Sequence, residues 1–335
     1  MSFEKIGEPA KAILHNMESY HHSALLNDRL WMFSRKYKEQ PLHNWGHRVS
    51  FCGGYSAYFD IESKSWSSKE EYPSISDDEN LEEVLFMLNS NIFLLLYTQF
   101  GGINFERLLQ WDIGERNWSA VKHFKVDESS NLSTKDAVTR SQLIVVKQHS
   151  QINNSILFIS VVDEIIRIHE LSIDQQYASL ALLHDIPIGD KFRMRTPVMA
   201  ARCCDEVYII GGIHGCGFRF DPKTWISFNL ETKSADVIEV MDDAPPFSFS
   251  GSRYTKVLTN GLWVHATGSV ARGMTGSAFS GEIWTVDLKS KPLKWKKCDV
   301  RVPEMDAEQL IIELSDSGHI YVADNNKGVL SAKIQ

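Results

Sequence analysis

Short apolar runs follow one another along this chain: Leu30 to Phe33 and Val49 to Phe51, Val84 to Leu88 and Ile92 to Tyr97, Leu143 to Val146 and Ile156 to Val162. They continue with Val207 to Ile210, Leu262 to Ala266, and Leu310 to Leu314 with Ile320 to Ala323. Their length and their bias toward β-branched and aromatic residues predict strands, and the polar clusters between them predict chain reversals. A second pattern fixes the spacing. Phe59-Asp60-Ile61-Glu62-Ser63-Lys64-Ser65-Trp66 aligns without gaps to Trp111-Asp112-Ile113-Gly114-Glu115-Arg116-Asn117-Trp118, and weaker copies begin at Leu171, Phe228 and Val286. With Asp60, Asp112, Ser172, Asn229 and Asp287 as equivalents, the intervals are 52, 60, 57 and 58 residues. Recurrence at such a period is the signature of a β-propeller, each repeat forming one blade of antiparallel strands.

Grouping the strands by this ruler predicts a single all-β domain over 1–335. Its six four-stranded blades span about 24–68, 81–123, 139–184, 195–240, 253–300 and 307–335. Five or seven blades are left open. The last repeat has three strands at Gln309 to Leu314, His319 to Ala323 and Val329 to Ile334, and then the chain stops. An open ring would expose strand edges, so a ring closed by pairing the two termini is expected, with Ala10 to His15 as the closing strand. Lys69 to Glu83, Val126 to Asp136, Asp242 to Ser252 and Thr267 to Gly281 read as loops, and no second domain is visible.

Composition narrows the function classes. Lys plus Arg number 35 against 43 Asp plus Glu, a net charge of −8, which argues against nucleic acid as the main partner. The five cysteines are sparse and show no Cys-x-x-Cys spacing, as in a reducing compartment. Met1-Ser2-Phe3-Glu4-Lys5 lacks a charged lead followed by an apolar core, so the expectation is a cytoplasmic or nuclear protein that is not secreted. Asn117, Asn131 and Asn153 are then chance glycosylation matches. No apolar run is long enough for a membrane helix, so no membrane partner is expected.

At this level the chain resembles Kelch-repeat propellers. The fourth blade carries the best match, with Met199-Ala200-Ala201-Arg202 before Val207-Tyr208-Ile209-Ile210 and the pair Gly211-Gly212. The first repeats the pattern with Gly53-Gly54, Tyr58-Phe59-Asp60 and Trp66, and the second with Gly101-Gly102, Trp111-Asp112 and Trp118. The third blade lacks a double glycine, the fifth has only Thr267-Gly268, and the last has Asp324-Asn325-Asn326. The resemblance implies a platform for binding proteins, often in cytoskeletal assemblies or as the substrate-recognising part of a ubiquitin ligase. Met1 to Asn27 is too short for the helical adaptor-binding domain that such ligases carry, so the ligase role is not carried over.

Candidate chemistry changes this picture little. His43 and His47, with His21-His22, invite a metal, but no acidic residue joins them in a ligand motif. His214 with Cys216 supplies two ligands where a structural site needs four. Cys203-Cys204 lacks a partner base for nucleophilic work. The copper site of galactose-oxidase-type propellers has no residue-by-residue counterpart, and sialidase-like Asp boxes are missing. The sequence therefore predicts no catalytic residue, metal or cofactor. It predicts a non-enzymatic scaffold or adaptor that binds a protein partner through loops on one face, the alternative being an enzyme or metal-dependent site in the central channel. The basic stretch Lys191-Phe192-Arg193-Met194-Arg195 would suit an acidic peptide. The candidate partner-binding residues are Arg193, Arg195, Arg202, His214, Arg219, Arg253, Tyr254 and Arg272. Trp66, Trp118 and Trp295 occupy repeat positions and are expected to pack blade on blade.

Overall fold

The apolar runs pair in chain order, each strand beside the one that precedes it, because short turns leave antiparallel neighbours as the nearest partners. The computed structural model describes residues 2–9, 20–42, 46–75, 81–98, 102–131, 143–148, 154–162, 165–174, 177–187, 196–215, 217–240, 243–245, 254–267, 269–271, 277–304, 311–324 and 327–334. Its strands form a six-bladed β-propeller.

Blade one comprises Tyr20–Leu26, Arg29–Leu42, Gly46–Asp60 and Ser65–Trp66. Blade two comprises Leu81–Leu88, Asn91–Thr98, Asn104–Asp112 and Asn117–Ala120. Blade three comprises Leu143–Val145, Ser155–Val162, Ile165–Asp174 and Tyr177–Pro187, with His123–Val126 added in parallel to its outer edge. Blade four comprises Thr196–Cys203, Glu206–Gly215, Gly217–Asn229 and Ser234–Glu239. Blade five comprises Thr255–Val257, Leu262–Ala266, Glu282–Asp287 and Lys296–Arg301, with a small hairpin, Ser269–Ala271 against Ser277–Phe279, inserted between its second and third strands. Blade six comprises Ile311–Leu314, His319–Asp324, Gly328–Lys333 and the N-terminal strand Glu4–Gly7.

The ring is thus closed by its termini, with Glu4 opposite Ser331 and Gly7 opposite Val329. The closing strand lies upstream of Ala10 to His15, a segment outside the described residues. Trp66 of blade one holds the junction by donating from its indole Nε1 to the Glu8 carbonyl at 2.8 Å. The acidic stretch expected to be a loop also contains structure: Glu70–Tyr72 pairs with Gly54–Ser56. That pairing accounts for the first double glycine. A methyl group on Gly54 would lie 2.2 Å from the Tyr72 ring and 2.3 Å from the Ser34 carbonyl, while Gly53 sits at φ +125°, where L side chains are strained.

The core is divided by interface. Six apolar clusters each join two neighbouring blades, one for every junction around the ring. Trp118 belongs to the cluster between blades one and two, Trp295 to that between four and five, and Trp66 packs against the cluster between six and one. Between blades one and two Trp111 sits edge-on to Phe33 with centroids 5.0 Å apart, and its ring centroid lies 5.0 Å from that of Trp118. Such aromatic pairs add about 0.5–1.5 kcal/mol each to the burial of their area.

The recurring Asp or Asn of the sequence ruler has a mechanical role. It opens the turn between the third and fourth strands, and its side-chain oxygen caps the backbone ahead. Asp60 accepts from Ser63 N at 2.9 Å, and Asp112 from Gly114 N at 2.8 Å and Glu115 N at 2.9 Å. Asn229 accepts from Glu231 N at 3.0 Å and Thr232 N at 2.8 Å, and Asp287 from Lys289 N at 3.0 Å. These are Asx turns, which let a side chain stand in for a backbone carbonyl. Ser172 departs from the pattern: it lies within paired strands, opposite Ser155 and Ser179.

Candidate functional site

Antiparallel order sorts the connections between two faces. First-to-second and third-to-fourth strand connections fall at one end of the ring; second-to-third and blade-to-blade connections fall at the other. The first end is built of tight turns, several with left-handed residues: Asn27 and Asp28, Asn89 and Ser90, Lys64, Arg116 and Lys233. The second end carries the excursions. The blade-one hairpin runs out to Leu42 and Gly46, the blade-four hairpin to Gly215 and Gly217, and the blade-five insert leaves from the same end.

The sequence-predicted residues distribute unevenly over this frame. His214 pairs with Phe218 and Arg219 with Ile213 near the tip of the blade-four hairpin, on the long-connection face. Tyr254 immediately precedes the first strand of blade five at the same end, but it is buried in the cluster between blades five and six rather than presented to solvent. Arg202 stands apart. It ends the first strand of blade four at the tight-turn face, is buried, and donates from Nε to the Cys204 carbonyl at 2.9 Å, so it secures its own turn. Arg193, Arg195, Arg253 and Arg272 lie outside the described residues, as do His43 and Cys216.

A second site lies in the central channel, the place of the alternative sequence reading; of the polar residues lining it, the sequence singles out only His22 and Tyr254. The first strands of the blades stand around the propeller axis and enclose a cavity of about 450 Å³, lined among the described residues by five of the six blades. Its polar side chains come from positions remote in sequence. His22 Nε2 of blade one lies 2.7 Å from Glu83 Oε1 of blade two. The Ser23 hydroxyl donates to the Glu313 carboxylate of blade six. Lys256 of blade five lies 3.0 Å from Asp316 of blade six as an ion pair without the alignment of a hydrogen bond. Lys147 of blade three also lines the cavity. Among the described residues its ammonium makes no hydrogen bond or ion pair, although Glu313 attracts it and Lys256 repels it.

Burial governs the ionisation of these groups. It pushes the Glu313 carboxyl up, against the smaller opposing effects of the Ser23 hydroxyl and Lys147, and it pushes the Lys147 amine down. Burial, with Glu82 as the leading charge, also raises Tyr97 and keeps its phenol protonated. The signal in the sequence was a charge inside the first apolar strand of a repeat: Glu313 within Ile311–Leu314, Lys256 within Thr255–Val257, Lys147 directly after Leu143 to Val146. No group of three or more His, Cys, Asp or Glu stands close enough to hold a metal ion among the described residues.

No protein-family model and no curated protein matches this sequence. Some solved structures have a similar chain path. The chain is similar to an exo-β-1,3-galactanase from Clostridium thermocellum, with a TM-score of 0.49 and 10% identity over 99% of this chain and 76% of that one. It is similar to a fungal alcohol oxidase in complex with copper, with a TM-score of 0.48 and 9% identity over 92% and 72%. It is also similar to the Dos1 propeller, with a TM-score of 0.39 and 8% identity over 92% and 74%. The activities named for those proteins remain theirs.

Proposed function

We propose that this protein is a non-enzymatic binding platform that takes a protein partner across its long-connection face. The observation that supports it is the inequality of the two faces: hairpin extensions and an inserted hairpin leave from one end, and tight turns close the other. Loops carried on a rigid scaffold are where binding is usually built, and a ring of strands brings several of them to one surface. The resemblance to Kelch repeats supports the same reading. Cys203, Cys204 and Cys298 are free thiols, which fits a cytoplasmic or nuclear setting.

A photocrosslinking amino acid at residue 218 of the full chain, compared with one at residue 63 in a tight turn, tests this in native cells. The expected result is a stoichiometric protein adduct from position 218 and none from position 63. Absence of a partner at position 218, together with turnover of a small molecule by the purified chain, overturns it.

A further inference from the structure

We propose that the central cavity captures a small neutral carbonyl compound as an imine on Lys147, with Glu313 moving the proton. This goes beyond the partner-binding face and is independent of it.

Lys147 follows the first strand of blade three and is locked there by its backbone, whose N–H donates to the Ala200 carbonyl at 2.9 Å and whose carbonyl accepts from Arg202 N at 2.8 Å. Both partners belong to blade four, so the backbone is pinned between blades while the side chain faces the cavity. Lys147 is half-buried at the cavity wall and its ammonium makes no ion pair among the described residues, so partial desolvation favours either loss of its proton or gain of a counter-ion. The second route is open only in part. Glu313 is close enough to feel Lys147, but no ion pair forms within 4.0 Å, and the rest of the lining includes Glu82 and Glu83. The carboxylates around the cavity disfavour an anionic ligand. A neutral electrophile is not opposed in this way.

Glu313 complements the amine. Its Oε1 accepts from the Ser23 hydroxyl, and its other oxygen makes no hydrogen bond among the described residues, leaving it open to the cavity. Desolvation at the cavity wall moves the Glu313 carboxyl toward its acid form and the Lys147 amine toward its free base, the direction that condensation needs. The lone pair of Lys147 Nζ adds to the carbonyl carbon, and the carbonyl oxygen takes a proton from the nitrogen to give a carbinolamine. The Glu313 carboxyl protonates the departing hydroxyl, which leaves as water. The remaining N–H proton returns to the carboxylate, and the neutral imine remains. One water is released for each C=N bond formed, and no oxidant or reductant takes part. The cavity volume lies within the range of small-molecule sites.

The test is reductive trapping on the full chain at pH 7, with butyraldehyde and cyanoborohydride as probe and peptide mapping as readout. A lowered amine pKa exposes more free base at neutral pH, so Lys147 should be alkylated several-fold faster than exposed Lys64 or Lys233. Lys147→Arg should abolish that adduct and leave surface labelling unchanged, and Glu313→Gln should slow labelling at Lys147 alone. If either variant fails to fold by circular dichroism, the ratio of Lys147 to surface labelling in the wild-type protein decides. Labelling of Lys147 no faster than of surface lysines overturns the proposal, and an unchanged rate in folded Glu313→Gln overturns the role given to Glu313.

Discussion

At the scale of single residues, the repeat is enforced by turn chemistry more than by glycine. Asn229 is the fullest case: its Oδ1 accepts from two backbone amides and its Nδ2 donates to Glu206 at 2.7 Å, tying the turn to the neighbouring strand. Asn229→Ala should cost about 1–2 kcal/mol by the usual net worth of such bonds, measured by urea unfolding, while Ser172→Ala should cost far less. A cost for Asn229→Ala within error of zero would show that the turn is held by its strands alone. The double glycine of blade one is decided by space. Gly54→Ala drives a methyl into Tyr72 and the Ser34 carbonyl, and a loss of about 1–3 kcal/mol is expected for overpacking there. The glycines were visible in the sequence; the reason for them was not, because the tyrosine they accommodate lies in a stretch that reads as an acidic loop.

At the scale of elements, strands and their order were legible because alternation and turn residues are local properties. Several elements were not, among them the parallel strand His123–Val126 and the hairpin of Ser269–Ala271 with Ser277–Phe279, which lies in a stretch that reads as a loop. Glu4–Gly7 is a short strand whose identity depends on Gly328–Lys333 at the far end of the chain, and Glu70–Tyr72 becomes a strand by pairing with Gly54–Ser56. Neither carries a strong pattern of its own. The closing strand supplies the fourth member of blade six, so removing residues 1–8 should leave an open edge, lower the thermal midpoint by many degrees and promote association. A synthetic peptide of residues 2–9 should restore the midpoint when added in excess, since it binds only the folded ring. Unchanged stability of the truncated chain in a thermal scan would show that blade six does not need this strand.

At the scale of the whole molecule, burial of histidine couples stability to pH. His265 is pushed down to about 4 by burial, and His169 to about 3 by burial and then by Arg167. Both are neutral in the folded and unfolded chain above the ordinary histidine value near 6.5, and there they take nothing from stability. Below it the unfolded chain binds protons that the folded one refuses. Each histidine then removes about 1.4 kcal/mol per pH unit, down to its own folded value. Unfolding midpoints should therefore drop from pH 6.5 toward pH 4, and His265→Phe should flatten the slope by about one proton; an unaltered slope would mean that His265 is protonated when folded. The sequence by itself determined that this chain is a propeller with a ruler of Asp and Asn at its turns, because strand pattern, turn chemistry and repeat length are written locally. Only the tertiary structure decided which strand closes the ring, that Arg202 and Tyr254 are buried parts of the scaffold, and that Ser23 and Glu313 share a cavity with Lys147. The closing strand and the Ser23–Glu313 contact depend on bringing opposite ends of the chain together, and the burial of Arg202 and Tyr254 depends on how each side chain packs where its strand meets a turn or a neighbouring blade.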